Sequence, residues 1–164
     1  MRSREIPRCP HCSREMRVAG SRKRKVIGLD GKPTTLIIRR LRCDSCGKIH
    51  HELPDFVLPY KHYSAEVIEN ILKEPEGTSG FISPCEDSTV RRTTQWFSLL
   101  LSYFEAAVRS LMEMNRHNCA LVNELAGLLP LEPKRLPAGW LTHLVRALVN
   151  SGRWLQTRLA VTVR

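Results

Sequence analysis

Aromatic side chains are scarce in this chain of 164 residues, at 6% of the total, and residues 1–55 contain none. Stacking on single-stranded bases needs such rings, so this segment offers no stacking platform. Long apolar runs are also missing: no stretch approaches the length that crosses a bilayer, and the N-terminus lacks the apolar core of a secretory signal. We therefore expect a cytoplasmic protein.

The motifs of common catalytic sites are absent as well. The sequence contains no His-x-x-x-His pair, no Gly-rich phosphate loop and no nucleophile elbow. Nuclease or transposase chemistry needs two or three convergent carboxylates for magnesium. The acidic residues after residue 64 have spacings typical of solvated helix faces. We predict that the protein is not an enzyme.

The charge balance is strongly basic. The chain has 26 Lys and Arg against 16 Asp and Glu, a net charge of +10, and an isoelectric point of about 9.8. Residues 1–55 carry 14 basic and six acidic residues, so most of the excess lies there. Such a segment favours a polyanionic partner, because neutralised phosphates release counterions. Nucleic acid is the predicted partner.

Four of the six cysteines form two pairs, Cys9-x-x-Cys12 and Cys43-x-x-Cys46, separated by 30 residues. In a reducing compartment such pairs are metal ligands more often than disulfides. Two intervening residues let both sulfurs of a pair face one tetrahedral ion at about 2.3 Å. Four thiolates fill that geometry, so we predict one structural Zn²⁺. Iron in a rubredoxin-like site stays an alternative.

Other cysteines and histidines near these pairs have simpler interpretations. Cys85 and Cys119 stand alone in apolar helical surroundings and are expected to be small buried hydrophobes. His11, His50 and His51 lie close to the cysteines in sequence. We expect them to be solvent-exposed, although replacement of a cysteine ligand or a contact behind the ligands stays open.

The predicted fold class is α+β, with a zinc ribbon over residues 1–55, a connector over residues 56–63 and an all-α segment over residues 64–164. Asp30-Gly31 separates two β-branched, basic runs, which predicts a β-hairpin of residues 22–29 and 34–41. Residues 48–53 are predicted to form a short third strand. Helices are predicted over residues 64–73, 85–113, 118–129 and 138–150. Ser64 is the predicted N-cap of the first helix, residues 74–83 are a predicted loop, and Asn150-Ser151-Gly152 is the predicted end of the last helix. Residues 154–164 fit either helix or strand.

Two groups of residues are candidates for nucleic-acid contact. Seven basic residues on the hairpin are predicted to contact phosphates, a solvated sheet edge being the alternative: Arg22, Lys23, Arg24, Lys25, Arg39, Arg40 and Arg42. Residues 64–104 are a candidate helix-turn-helix, the alternative being an amphipathic helix in a helical core. Its base-contacting residues would be Thr89, Arg91, Arg92 and Gln95.

Several segments resemble an uncharacterised bacterial zinc-ribbon family: residues 9–12 (CPHC), 20–32, 36–69, 85–97 and 140–158. The ribbon followed by helices is also similar to the N-terminal zinc-binding and helix-turn-helix region of insertion-sequence transposases. That resemblance implies duplex DNA binding, as a regulator or accessory factor of a mobile element. The only functional residues that this resemblance implies for individual positions are the four paired cysteines, which match the zinc-ribbon pattern.

Two alternative functions stay open. One is an RNA-binding zinc ribbon, because shape and phosphate contacts dominate recognition of structured RNA. The other is an adaptor that docks a transposase or recombinase through its C-terminal helices, against which ordinary core packing is the competing interpretation. The docking residues would be Trp140, Leu144, Val145, Leu148 and Trp154.

Overall fold

The computed structural model describes residues 7–74, 84–155 and 160–163. Its architecture is mixed α+β, as predicted: an N-terminal sheet precedes the helices. None of the described helices is long and apolar enough to span a bilayer. The elements are β1 (Met16–Ile27), β2 (Pro33–Cys43), β3 (Ile49–Pro54), α1 (Ala65–Lys73), α2 (Asp87–Met114), α3 (Cys119–Ala126), α4 (Trp140–Asn150) and β4 (Ala160–Val163).

The predicted hairpin is confirmed, with longer strands. β1 and β2 are antiparallel, and their register runs from Met16 opposite Cys43 to Ile27 opposite Pro33. The turn contains Gly31 at φ +69°, a left-handed conformation that glycine adopts without strain. Because the strands reach Cys43, the hairpin brings the second cysteine pair back towards the first.

Within the described residues, the sheet has four strands in the order β1-β2-β3-β4. β3 is antiparallel to β2, and β4 is parallel to β3. The prediction of an all-α segment after residue 63 is therefore wrong at β4. Four residues are too short to give a periodic signal, and the pairing with β3 is non-local. The sheet includes strands from both sides of residue 55, and the three-part division of the chain stays a prediction.

The four helices are confirmed, with small shifts at their ends. α1 starts at the predicted N-cap, where the Ser64 hydroxyl accepts a hydrogen bond from the Val67 N–H at 3.4 Å. Asn118 caps α3 in the same way, through the Leu121 N–H at 3.2 Å. Gly152, at φ +70°, follows the end of α4 as expected. Most of the predicted loop before α2, residues 75–83, lies outside the described residues.

Glu69 of α1 fixes the start of α4. Its carboxylate is buried and accepts hydrogen bonds from the backbone N–H groups of Gly139 at 2.9 Å and Leu141 at 2.7 Å. These donors belong to the first turn of a helix, where N–H groups lack intrahelical partners and favour negative charge. A side chain 70 residues away in sequence thus caps α4 and ties it to α1.

One core joins the sheet to the helices. Ile38, Leu53 and Ala160 from three strands are buried with residues of all four helices. Aromatic rings fill its centre, where Phe104 stacks on Trp154 with ring centroids 5.4 Å apart. The residues considered for a docking surface belong to this core, each at most 2% exposed: Trp140, Leu144, Val145, Leu148 and Trp154.

Candidate metal centre and basic face

Each cysteine pair lies in a tight backbone turn, and the two turns repeat the same hydrogen bonds. The Ser13 N–H donates to the Cys9 carbonyl at 2.8 Å, and the Gly47 N–H donates to the Cys43 carbonyl at 2.9 Å. The N–H of Cys9 donates to the Arg14 carbonyl at 2.8 Å, and the N–H of Cys43 donates to the Lys48 carbonyl at 3.0 Å. Ser13 and Gly47 both have positive φ, +58° and +70°. The two knuckles are therefore structurally equivalent.

The four thiols converge on one point. The sulfur of Cys9 lies 3.7 Å from that of Cys46, and the sulfur of Cys12 lies 3.4 Å from that of Cys43. All four sulfurs lie within 4.8 Å of one another. A tetrahedral ion with metal–sulfur bonds of about 2.3 Å would separate its ligands by about 3.8 Å. The cluster thus has the size and geometry that a tetrahedral metal ion requires.

The protein environment shifts the pKa values of Cys9 and Cys43 in opposite directions. Burial raises the pKa of Cys9 to about 12, whereas the backbone N–H of Cys46 is the main cause that lowers the pKa of Cys43 to about 7. Backbone N–H groups aimed at Cys43 stabilise its thiolate, while desolvation favours the neutral thiol of Cys9. A bound cation would supply the positive charge that favours thiolates at both positions.

His50 lies directly behind the cluster. It is fully buried on β3, opposite Leu41, and its Nε2 lies 3.4 Å from the sulfur of Cys9. The expectation of an exposed histidine is wrong here, because β3 places this side chain on the face that the first knuckle covers. The contact suits an N–H donor to a ligand sulfur, which holds the ligand in place. His11 is exposed as predicted, and His51 is half-buried.

The remaining cysteines lie apart from the cluster. Cys85 is half-buried, and Cys119 is exposed in the first turn of α3. The predicted burial is therefore wrong for Cys119, because the start of α3 makes little contact with the core. Neither thiol joins the four sulfurs that converge.

The predicted phosphate-contacting residues divide between the two faces of the hairpin. Arg22 is opposite Ile38, and Arg40 is opposite both Gly20 of β1 and His51 of β3. Because side chains alternate along a strand, Arg22, Arg40 and Arg42 share one face of the sheet. Lys23 and Lys25 are exposed on the opposite face.

Two of the seven residues have partners within the fold. The guanidinium of Arg24 is half-buried and donates through Nη2 to the carbonyls of Leu58 at 2.6 Å and Lys61 at 2.8 Å. Burial, together with nearby Arg22, lowers its pKa. Arg39 forms a two-point ion pair with the buried carboxylate of Glu52. Arg24 and Arg39 thus stabilise the ribbon and its connector.

The other three arginines share one face of the sheet, which we call the basic face: Arg22, Arg40 and Arg42. Arg22 and Arg42 are exposed, and Arg40 is half-buried. In the described parts of the chain, no carboxylate lies within 4.0 Å of their guanidinium groups. His51 borders this face. Its pKa is lowered by burial and by the charges of Arg22, Arg40 and Arg24.

The start of α2 presents the second group of candidates. Arg91, Arg92 and Gln95 are exposed and Thr89 is half-buried, while the Arg92 Nε donates to the Ser88 carbonyl at 3.1 Å. α1 and α2 pack together, but residues 75–83 between them lie outside the described residues, and a helix-turn-helix is not shown.

The tip of the hairpin lies beside the start of α2. A Cβ placed on Gly31 would lie 3.5 Å from the Cβ of Pro84, three residues before α2. Ile27, at the end of β1, also hydrogen-bonds through its backbone to the residues that lead into α1. The start of α2 therefore lies near the hairpin tip, whereas Arg22, Arg40 and Arg42 lie further along the hairpin, towards the cysteine knuckles.

Together, the fold and the site define an α+β protein whose N-terminal sheet carries a four-cysteine cluster of the zinc-ribbon kind. The chain belongs to a family described as a domain of unknown function, DUF6431, which matches residues 9–93. The match begins at Cys9 and ends two turns into α2. No curated protein and no solved structure matches the chain. No link to transposases is shown.

Proposed function

We propose that this protein binds duplex DNA through the basic face of a ribbon organised by one structural Zn²⁺. The cluster supports zinc because four thiolates are soft ligands and their spacing fits a tetrahedral ion. With four sulfurs bound, zinc would have no open position for a substrate or water. The ion would therefore maintain the ribbon, and we propose a binding role in place of a catalytic one.

The observation that carries the proposal is the basic face. Arg22, Arg40 and Arg42 occupy one side of a paired sheet, and no described carboxylate neutralises them. Guanidinium groups match phosphate oxygens through two parallel hydrogen bonds, which makes arginine suited to nucleic-acid backbones. The paired strands also fix the backbone from which these side chains extend, so binding needs to order the side chains but not the main chain.

The start of α2 is a second candidate surface, separate from the basic face. The hairpin tip lies beside Pro84, and Arg91 and Arg92 are exposed within the next eight residues, so in this proposal they contact the same duplex at a different position. In this proposal, Thr89 and Gln95 would meet base edges if α1 and α2 act as a helix-turn-helix. A role as an accessory factor of a mobile element rests on the sequence resemblance alone.

A charge-neutralising triple variant tests the proposal. Arg22→Gln, Arg40→Gln and Arg42→Gln would be combined in zinc-loaded protein, and fluorescence anisotropy would measure Kd for a labelled duplex across a salt series. Each lost phosphate contact reduces the slope of log Kd against log salt by about 0.9, so the slope should fall by about 2.7.

A matched control separates the basic face from overall charge. Arg109, Arg116 and Arg135 are exposed and each pairs with a glutamate on the same local segment. Their replacement by glutamine changes the net charge equally and should leave the slope almost unchanged. Equal slopes for the two triple variants would contradict a specific role for the basic face.

A further inference from the structure

Tyr60 has an unusual backbone for a large side chain. Its φ is +60°, and the residue is 68% exposed. Bulky residues seldom adopt left-handed φ, because the Cβ meets the neighbouring carbonyl. Strained positions persist where the surrounding structure enforces them, and they concentrate at binding sites. An exposed tyrosine gains nothing from core packing that would explain its presence here.

The turn that carries Tyr60 is firmly held. The Lys61 N–H donates to the Leu58 carbonyl at 3.3 Å, which closes the turn. The Arg24 guanidinium donates to the carbonyls of both residues, and Leu58 and Pro59 are buried. Tyr60 is thus the exposed residue of an anchored turn, and fixing its position on binding would cost little entropy.

This turn borders the basic face. Arg24 follows Arg22 by two residues on β1, so the two side chains share a face of the strand. Arg24 contacts the turn, and Arg22 belongs to the basic face. The ribbon itself contains no aromatic residue. The connector folds back so that the turn carrying the exposed Tyr60 is bound by Arg24, the next residue along β1 on the face that carries Arg22.

We infer that Tyr60 stacks on an unpaired nucleobase of the nucleic acid whose phosphates contact the basic face. An exposed ring beside phosphate-binding guanidinium groups is the arrangement with which proteins hold unstacked bases. The inference rests on the proposed function and refines its ligand to a duplex that contains an unpaired base. The arginines bind backbone on either side, and the ring selects the unpaired position.

The test compares two labelled duplexes of the same sequence, one fully paired and one with a single bulged 2-aminopurine. Wild-type protein should bind the bulged duplex about 5- to 160-fold more tightly, the range that one base–aromatic stack provides. 2-Aminopurine fluorescence should fall on binding. Tyr60→Phe should keep the preference, whereas Tyr60→Ala should abolish it without changing the salt dependence.

Two further variants guard against a merely structural effect. Tyr60→Asn removes the ring but suits the left-handed backbone, so its thermal midpoint should equal or exceed that of wild type while the preference is lost. Phe56→Ala alters another exposed aromatic residue of the connector, 43% exposed, and should leave the preference intact.

The outcomes separate the two proposals. If neither duplex binds, the proposed function and this inference both fail. If both duplexes bind equally, or if Tyr60→Ala or Tyr60→Asn keeps the preference, this inference fails and the phosphate-binding role of the arginines stands.

Discussion

Removal of the proposed zinc ion should destabilise the helices as well as the ribbon. Ile38 of β2 and Leu53 of β3 are buried in the same core as the aromatic residues of the helices. Pro10, inside the first knuckle, also lies against the end of α4, where a Cβ on Gly152 would be 3.2 Å from its carbonyl oxygen. A ribbon without its ion would withdraw these contacts from the helical core.

The size of the effect follows from the buried side chains. Full burial of an isoleucine or leucine contributes about 1.5–3 kcal/mol, so loss of Ile38 and Leu53 removes about 3–6 kcal/mol. In a chain of this length, each kcal/mol corresponds to about 2–4 °C in the midpoint of thermal unfolding. The helical part should therefore unfold about 6–24 °C lower without the ion.

Tryptophan fluorescence is the assay, because the three tryptophans lie outside the ribbon. Thermal unfolding would be recorded under reducing conditions, before and after metal removal with excess chelator. Cys12→Ser should reproduce the shift, whereas Cys119→Ser, at an exposed thiol outside the cluster, should not. A tryptophan transition that moves by less than about 3 °C when the ribbon loses its metal would refute the coupling through the shared core.

Three further predictions concern single side chains. Glu69→Ala leaves the buried N–H of Leu141 and the half-buried N–H of Gly139 without their acceptor and should cost about 2–4 kcal/mol in urea unfolding, with Glu69→Gln costing less. His50→Leu should weaken zinc binding about 10- to 100-fold in competition with a chelating dye, while His11→Ala should have no effect. The depressed pKa of His51 means that protonation favours the unfolded state, so stability should fall as pH drops below about 6.5. His51→Gln should remove this part of the acid sensitivity, and an unchanged pH profile would contradict it.

Local signals explain why much of the fold could be predicted. The cysteine spacing, Asp30-Gly31 and the cap at Ser64 each act within a few residues, and each has the predicted structure. The observed helix ends differ from the predicted ones by a few residues, because tertiary packing determines where each helix starts and stops. The start of α4, for example, depends on Glu69, which no pattern near α4 could reveal.

Non-local contacts explain what the sequence left undetermined. β4 depends on its partner β3, and the burial of His50 depends on a knuckle about 40 residues away. Alternation correctly separates Arg22 and Arg24 from the intervening lysine. It gives no sign that Arg24 binds two carbonyls of the connector. The number of basic residues was evident from the sequence, but the subset without a partner inside the fold on one face of the sheet was not.

The most direct test of the account is a comparison of three ligands with zinc-loaded protein: duplex DNA, single-stranded DNA and structured RNA of equal length. Three phosphate contacts from the basic face predict that duplex affinity falls at least about 40-fold between about 50 and 200 mM salt. The account predicts that the duplex binds most tightly at each salt concentration. Weak binding to all three ligands, tighter binding to RNA, or an affinity that does not change with salt would contradict it.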